Sequence, residues 1–165
     1  MTRPSDIPEF ARALAKQEFT DLTQEMHAIV SSSHLFKSLD DVGRQRVLES
    51  GYVTTFAPKD TLFAEGKTGE SMLIVMRGTV LVETQTPSGT VHLAELSRGA
   101  CIGEVSVLTG QPRTATVTAK TEVDAVAFEK HRIERVLADY PKVRKVLESL
   151  VVGRARDTIE KIVGY

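Results

Sequence analysis

The sequence predicts a mainly β fold: an antiparallel, jelly-roll-like β-roll with helices on its N-terminal and C-terminal sides. Two observations carry this. Between Gly51 and Phe128, short β-prone runs follow one another at roughly ten-residue spacing, with Gly and Pro between them. Outside that stretch, apolar residues recur at helical intervals.

Taken in chain order, residues 1–33 are expected to form an N-terminal arm, helical after Pro8. Phe10, Leu14, Leu22, Met26 and Ile29 fall at spacings compatible with one helix face, and Ser31-Ser32-Ser33 ends the pattern. Such a face either packs on its own domain or meets a partner protein or a second copy of the chain. The central domain, residues 34–140, opens with a short helix around Leu35, Phe36, Leu39, Val42 and Leu48. Asp40 suits its start, because a short carboxylate can accept a hydrogen bond from the first helical N–H groups. Strands are expected at Tyr52–Phe56, Thr61–Ala64, Met72–Met76, Thr79–Thr84, Val91–Leu96, Thr114–Thr118 and Val123–Phe128. Pro58, Gly66-Lys67-Thr68-Gly69, Gly78, Pro87-Ser88-Gly89 and Gly99 separate them, and Pro87-Ser88-Gly89 suits a hairpin loop. Ile133, Val136 and Leu137 then form a helical group that stops at Tyr140-Pro141, since proline disfavours helix at the residue before it. Residues 141–165 read as a C-terminal lid helix and tail, with Val143, Val146, Leu147, Leu150 and Val151 on one apolar face.

Composition narrows the function. With 41% apolar and 26% charged residues, the chain of 165 is long enough and apolar enough for a real core. A net charge of −1 offers no general attraction to nucleic acid or anionic lipid. No apolar run approaches about 18 residues, so no membrane span is expected. Cys101 is the single cysteine, which excludes an internal disulfide and fits a cytoplasmic setting; it reads as a small buried apolar residue. His27, His34, His92 and His131 are scattered without ligand spacing, so no metal site is expected. Gly66-Lys67-Thr68 suggests a P-loop, but the first glycine of that pattern would fall at Thr61, and a strand follows rather than a helix. Ser106 has no G-x-S-x-G frame. No set of residues supports nucleophilic or metal catalysis, so the chain is not expected to be an enzyme.

The informative stretch is GEVSVLTGQPRTATV, residues 103–117. Gly103 allows backbone to approach a ligand, and a short helix beginning at Glu104 would turn free N–H groups toward an anion. The Arg113 guanidinium can grip two anionic oxygens at once. A carboxylate at Glu104 accepts hydrogen bonds from hydroxyls or amines. A ligand with a phosphate beside a hydroxyl fits both, and a sugar phosphate or nucleotide is the simplest such ligand.

Two segments resemble the cyclic nucleotide-binding domains shared by bacterial catabolite-activator-type regulators, protein kinase regulatory subunits and cyclic nucleotide-gated channels. They are LFAEGKTGESMLIVMRGTV, residues 62–80, and IGEVSVLTGQPRTATVTA, residues 102–119, the latter similar to the family's phosphate-binding cassette. The resemblance implies a ligand, cAMP or cGMP, and no other cofactor. It implies that Arg113 pairs with the cyclic phosphate and Glu104 with the ribose 2′-hydroxyl. It also implies that N–H groups at Gly103 and Ala115 line the phosphate, with Val105 and Ser106 in the same cassette. Thr114 would touch the phosphate or a syn purine. Leu73, Val75 and Val91 are candidate walls for the base, and Leu147, Leu150 and Val151 candidate lid residues. About twenty residues follow Leu147, too few for the helix-turn-helix of the catabolite-activator branch, so the expectation is a stand-alone sensor module. It would signal by helix rearrangement to a partner protein or second subunit. The rival reading is an interaction or structural domain with a degenerate or repurposed pocket. Retention of both Arg113 and Glu104 weighs against it.

Overall fold

The protein's computed structural model describes residues 24–29, 31, 36, 39–142, 144–145 and 148–149. Phe10, Leu14, Leu22, Val143, Val146, Leu147, Leu150 and Val151, on which the arm and lid expectations rest in part, lie outside them.

Helix α1 (Asp41–Ser50) is capped by Asp40, whose side chain accepts the Gly43 N–H at 2.7 Å. Eight strands follow: β1 (Gly51–Phe56), β2 (Thr61–Phe63), β3 (Ser71–Arg77), β4 (Val80–Thr86), β5 (Gly89–Leu96), β6 (Cys101–Ile102), β7 (Thr116–Ala119) and β8 (Val123–Glu129). Helix α2 (Glu104–Thr109) lies between β6 and β7, and α3 (Lys130–Leu137) follows β8. The strands form two four-stranded sheets, β1-β8-β3-β6 and β2-β7-β4-β5, with antiparallel pairing throughout. The chain is therefore a mainly antiparallel β-roll with flanking helices, as its sequence predicts.

The expected strands are present with ends shifted by one or two residues. The two-residue β6 was not anticipated, being too short to show a period. The strand expected at Thr114 begins at Thr116 instead, because Arg113 is tied into a loop: it donates its N–H to Lys67 O at 2.8 Å, and its carbonyl accepts the Gly66 N–H at 2.9 Å.

Burial on both faces explains the unbroken apolar run of β3. Met72, Ile74 and Met76 pack with Phe36, Val47, Val126, Phe128, Ile133 and Leu137, beneath the helices. Leu73 and Val75 alternate to the other face and join Phe63, Val80, Ile102, Val117 and Ala125 between the sheets. A strand buried on both sides has no reason to alternate polar and apolar residues. The helical residues 24–29 are tied to the roll through Glu25, which accepts from Arg77 and from Arg98, both at 2.8 Å. These two bonds hold the Glu25 carboxyl below its usual range, although burial alone would raise it.

Candidate ligand-binding site

Arg113 lies at the meeting point of the two sequence segments. Its guanidinium donates through Nη1 to Gly103 O at 3.1 Å and through Nη2 to Ser71 O at 2.7 Å. Its Cζ lies 3.8 Å from the centroid of the Phe63 ring. The slot depends on small neighbours. A Cβ on Gly69 would overlap the guanidinium carbon, and one on Gly103 would stand 2.6 Å from Nη1. Gly103 also has φ +83°, the left-handed conformation that other residues adopt at a cost. The glycine-framed turn at residues 66–69, which superficially suggested a P-loop, instead positions an arginine far along the chain. Burial pushes the Arg113 pKa down, while the Glu104 and Glu70 carboxylates act to raise it.

Gly69→Ala is therefore expected to displace Arg113 from its slot and weaken binding of a phosphate-bearing ligand by about tenfold, as for an overpacking strain of about 1–3 kcal/mol at the site. Titration of the variant beside the parent measures this, and equal affinities would contradict the slot.

Glu104 is the first residue of α2 and is 4% exposed, an unusual place for a carboxylate. Gly103 caps the helix with its backbone, accepting the Val107 N–H at 3.3 Å, and Gly110 closes it in a left-handed conformation. Ser106, Val107 and Leu108 are buried beside Glu104. Between α2 and the β2-β7-β4-β5 sheet lies a cavity of about 250 Å³. Gly103, Glu104, Ser106, Arg113 and Thr114 form the polar part of its lining; Phe63, Val82, Leu93, Leu96, Ile102 and Val117 supply apolar walls. The site offers one buried cation, one buried carboxylate and an apolar chamber. That combination takes a small amphipathic anion carrying a hydroxyl. Among the described residues, no group of three or more His, Cys, Asp or Glu is placed to hold a metal ion.

The structure brings Gly103, Glu104, Val105, Ser106, Arg113, Thr114 and Ala115 together around this cavity. It does not bring the three proposed wall residues there. Leu73 and Val75 are committed to the inter-sheet core, and Val91 pairs with Thr84 outside the lining. Their places are taken in part by residues that a β-bulge exposes to the cavity. Val82 pairs with Ala94 and Glu83 with His92, so Leu93 has no partner in the ladder. Leu93 and Ala94 both line the cavity as a result. Strict alternation gives no warning of such a slip. Phe63 was also missed as a site residue; its place on the strand directly before the Gly66–Gly69 turn was the available signal. Leu147, Leu150 and Val151 lie outside the described residues.

An arginine and a glutamate buried in the lining of a largely apolar chamber within a jelly roll suit the binding of a small organic anion. The cyclic nucleotide-binding domain model matches residues 53–140, just over half of the chain, and the chain belongs to that family. It is 26% identical over 134 residues to a CRP-like cAMP-activated global transcriptional regulator of Mycobacterium tuberculosis, covering 81% of this chain and 60% of that protein. It is 30% identical over 126 residues to potassium/sodium hyperpolarization-activated cyclic nucleotide-gated channel 2 of Homo sapiens, covering 76% of this chain and 14% of the channel. The chain thus spans less than two thirds of either relative. The crystal structure of the N-terminal domain of a transcriptional regulator from Streptomyces coelicolor A3(2) superposes with a TM-score of 0.65 at 33% identity, covering 81% of this chain and 94% of that one. The family is one of binding domains in regulators, not a class of enzyme. No helix among the described residues is long and apolar enough to cross a membrane.

Proposed function

We propose that the protein is a cytoplasmic sensor that binds a 3′,5′-cyclic purine nucleotide, cAMP or cGMP, without hydrolysing it, and passes the event to a partner protein or a second subunit. The observation that carries this reading is the burial of both Arg113 and Glu104 in the lining of one largely apolar cavity. Two buried side chains of opposite charge are costly to maintain unless they serve each other or a ligand. A cyclic nucleotide offers each a complement: its phosphate takes the guanidinium, its ribose hydroxyl donates to the carboxylate, and its base fills the chamber between Val82, Leu93 and Val117. Arg113 uses two N–H groups on backbone carbonyls, and a guanidinium has five, so donors are left for phosphate. Thr114, exposed at the rim, is placed to contact phosphate or purine.

Calorimetry with each nucleotide on the purified protein tests the reading, with a parallel assay for turnover. Heat of binding without product is expected. No heat and no melting shift with either nucleotide at millimolar concentration would favour the second reading, a repurposed pocket. The carbonyls already satisfying Arg113 are the observation on that side.

Glu104→Gln gives a narrower test. The parent should bind 2′-deoxy nucleotide more weakly than ribonucleotide, by about tenfold for one charge-assisted hydrogen bond. The variant should reduce that ratio severalfold. An unchanged ratio would make Glu104 a helix-start carboxylate only.

A further inference from the structure

We infer that Phe63 is a positioning residue for the phosphate-binding arginine; this rests on the cyclic nucleotide reading of the site. The Phe63 ring is buried on β2, lines the cavity, and has the Arg113 guanidinium 3.8 Å from its centroid. A cation over the negative face of an aromatic ring is held without a hydrogen bond, so the ring contact uses none of the five N–H donors. The two carbonyls, Ser71 O and Gly103 O, fix the in-plane orientation of the fork. The ring fixes its plane. Gly103 is part of the same arrangement, because a Cβ there would meet both Nη1, at 2.6 Å, and the Phe63 ring, at 3.0 Å.

An apolar side chain of similar bulk would still fill the wall but could not hold the guanidinium plane. Phe63 thus acts on phosphate through Arg113, beyond whatever contact it makes with the base. The role predicts coupling. Removing the ring should matter only while the arginine is present.

The experiment is a double-mutant cycle of parent, Phe63→Leu, Arg113→Ala and the double variant, titrated with cAMP and cGMP. Phe63→Leu in the parent is expected to weaken binding by about two- to thirtyfold, the range of a cation–π contact from exposed to desolvated. In the Arg113→Ala background the same change should cost less than about twofold. Phe63→Tyr keeps the ring face and should retain parent affinity. Melting curves on all variants show that each is folded, and if Phe63→Leu does not fold, Phe63→Tyr is titrated beside Phe63→Met. Additive losses, or a Phe63→Tyr as weak as Phe63→Leu, would overturn the positioning role alone and leave Phe63 as a wall. A folded parent that binds neither nucleotide would overturn the reading of the site, and this role with it.

Discussion

Arg113→Ala is expected to weaken cyclic nucleotide binding by roughly tenfold to a few hundredfold, the loss of a charge-assisted pair worth about 1.5–3 kcal/mol. Two features argue for the upper part of that range. Arg113 as a residue is 7% exposed, so water is a poor substitute for it, and its attraction for phosphate is screened less than at an open surface. The substitution also leaves the Ser71 and Gly103 carbonyls without their side-chain donor. Arg113→Lys should recover only part of the affinity, since an ammonium reaches one carbonyl or one phosphate oxygen but cannot span the fork. Titration of folded variants measures the effect. An Arg113→Ala protein that binds as tightly as the parent would remove Arg113 from the site.

The second large effect is on stability. Phe128 is fully buried on β8, which lies between β1 and β3, and its ring stands 5.8 Å from that of Phe36. It also packs where Gly51 leaves room: a Cβ at Gly51 would come within 2.7 Å of the Phe128 ring. Phe128→Ala is expected to cost about 3–5 kcal/mol in urea unfolding, by lost apolar burial and the cavity left behind. Set against a typical domain stability of about 5–15 kcal/mol, that can unfold much of the protein. Phe128→Leu should cost less, since most of the volume remains. A loss below about 1 kcal/mol for Phe128→Ala would mean that the helices and sheet collapse onto the vacated space.

The fold was legible because its strongest signals are local. The apolar runs of β3 and β8, the Pro87-Ser88 turn and the Asp40 cap are each specified within a few residues of sequence. The polar half of the site was legible for the same reason: Gly103 to Ser106 and Arg113 to Ala115 fall in one short segment. The apolar half was not. Its walls come from β2, β4, β5, β6 and β7, and which residues of β5 face the cavity depends on a one-residue slip at Leu93 that no periodicity contains. Leu73 and Val75 were plausible walls by composition, but they share the inter-sheet core with Phe63, Ile102 and Val117 without reaching the cavity lining as those three do. The function of Gly69 was hidden differently. It is defined by the approach of a side chain forty-four positions later, at Arg113.

The reciprocal backbone hydrogen bonds between Arg113 and the Gly66–Lys67 turn carry a kinetic consequence. They lock the Arg113 backbone into the scaffold, and the Gly103 and Ser71 carbonyls hold its guanidinium in one orientation. A nucleotide then meets a receptor group that needs no search among rotamers, so little ordering cost falls on the binding step. Encounter rates should be nearly the same for cAMP, cGMP and their 2′-deoxy forms, since all present the same phosphate to the same fixed cation. The ligands should instead differ in residence time, set by how well the ribose and base are held once the phosphate has docked. Stopped-flow traces for the four ligands are expected to show similar association phases and dissociation phases spread over a wider range, which would make the protein a sensor whose selectivity lies in how long it remembers each ligand.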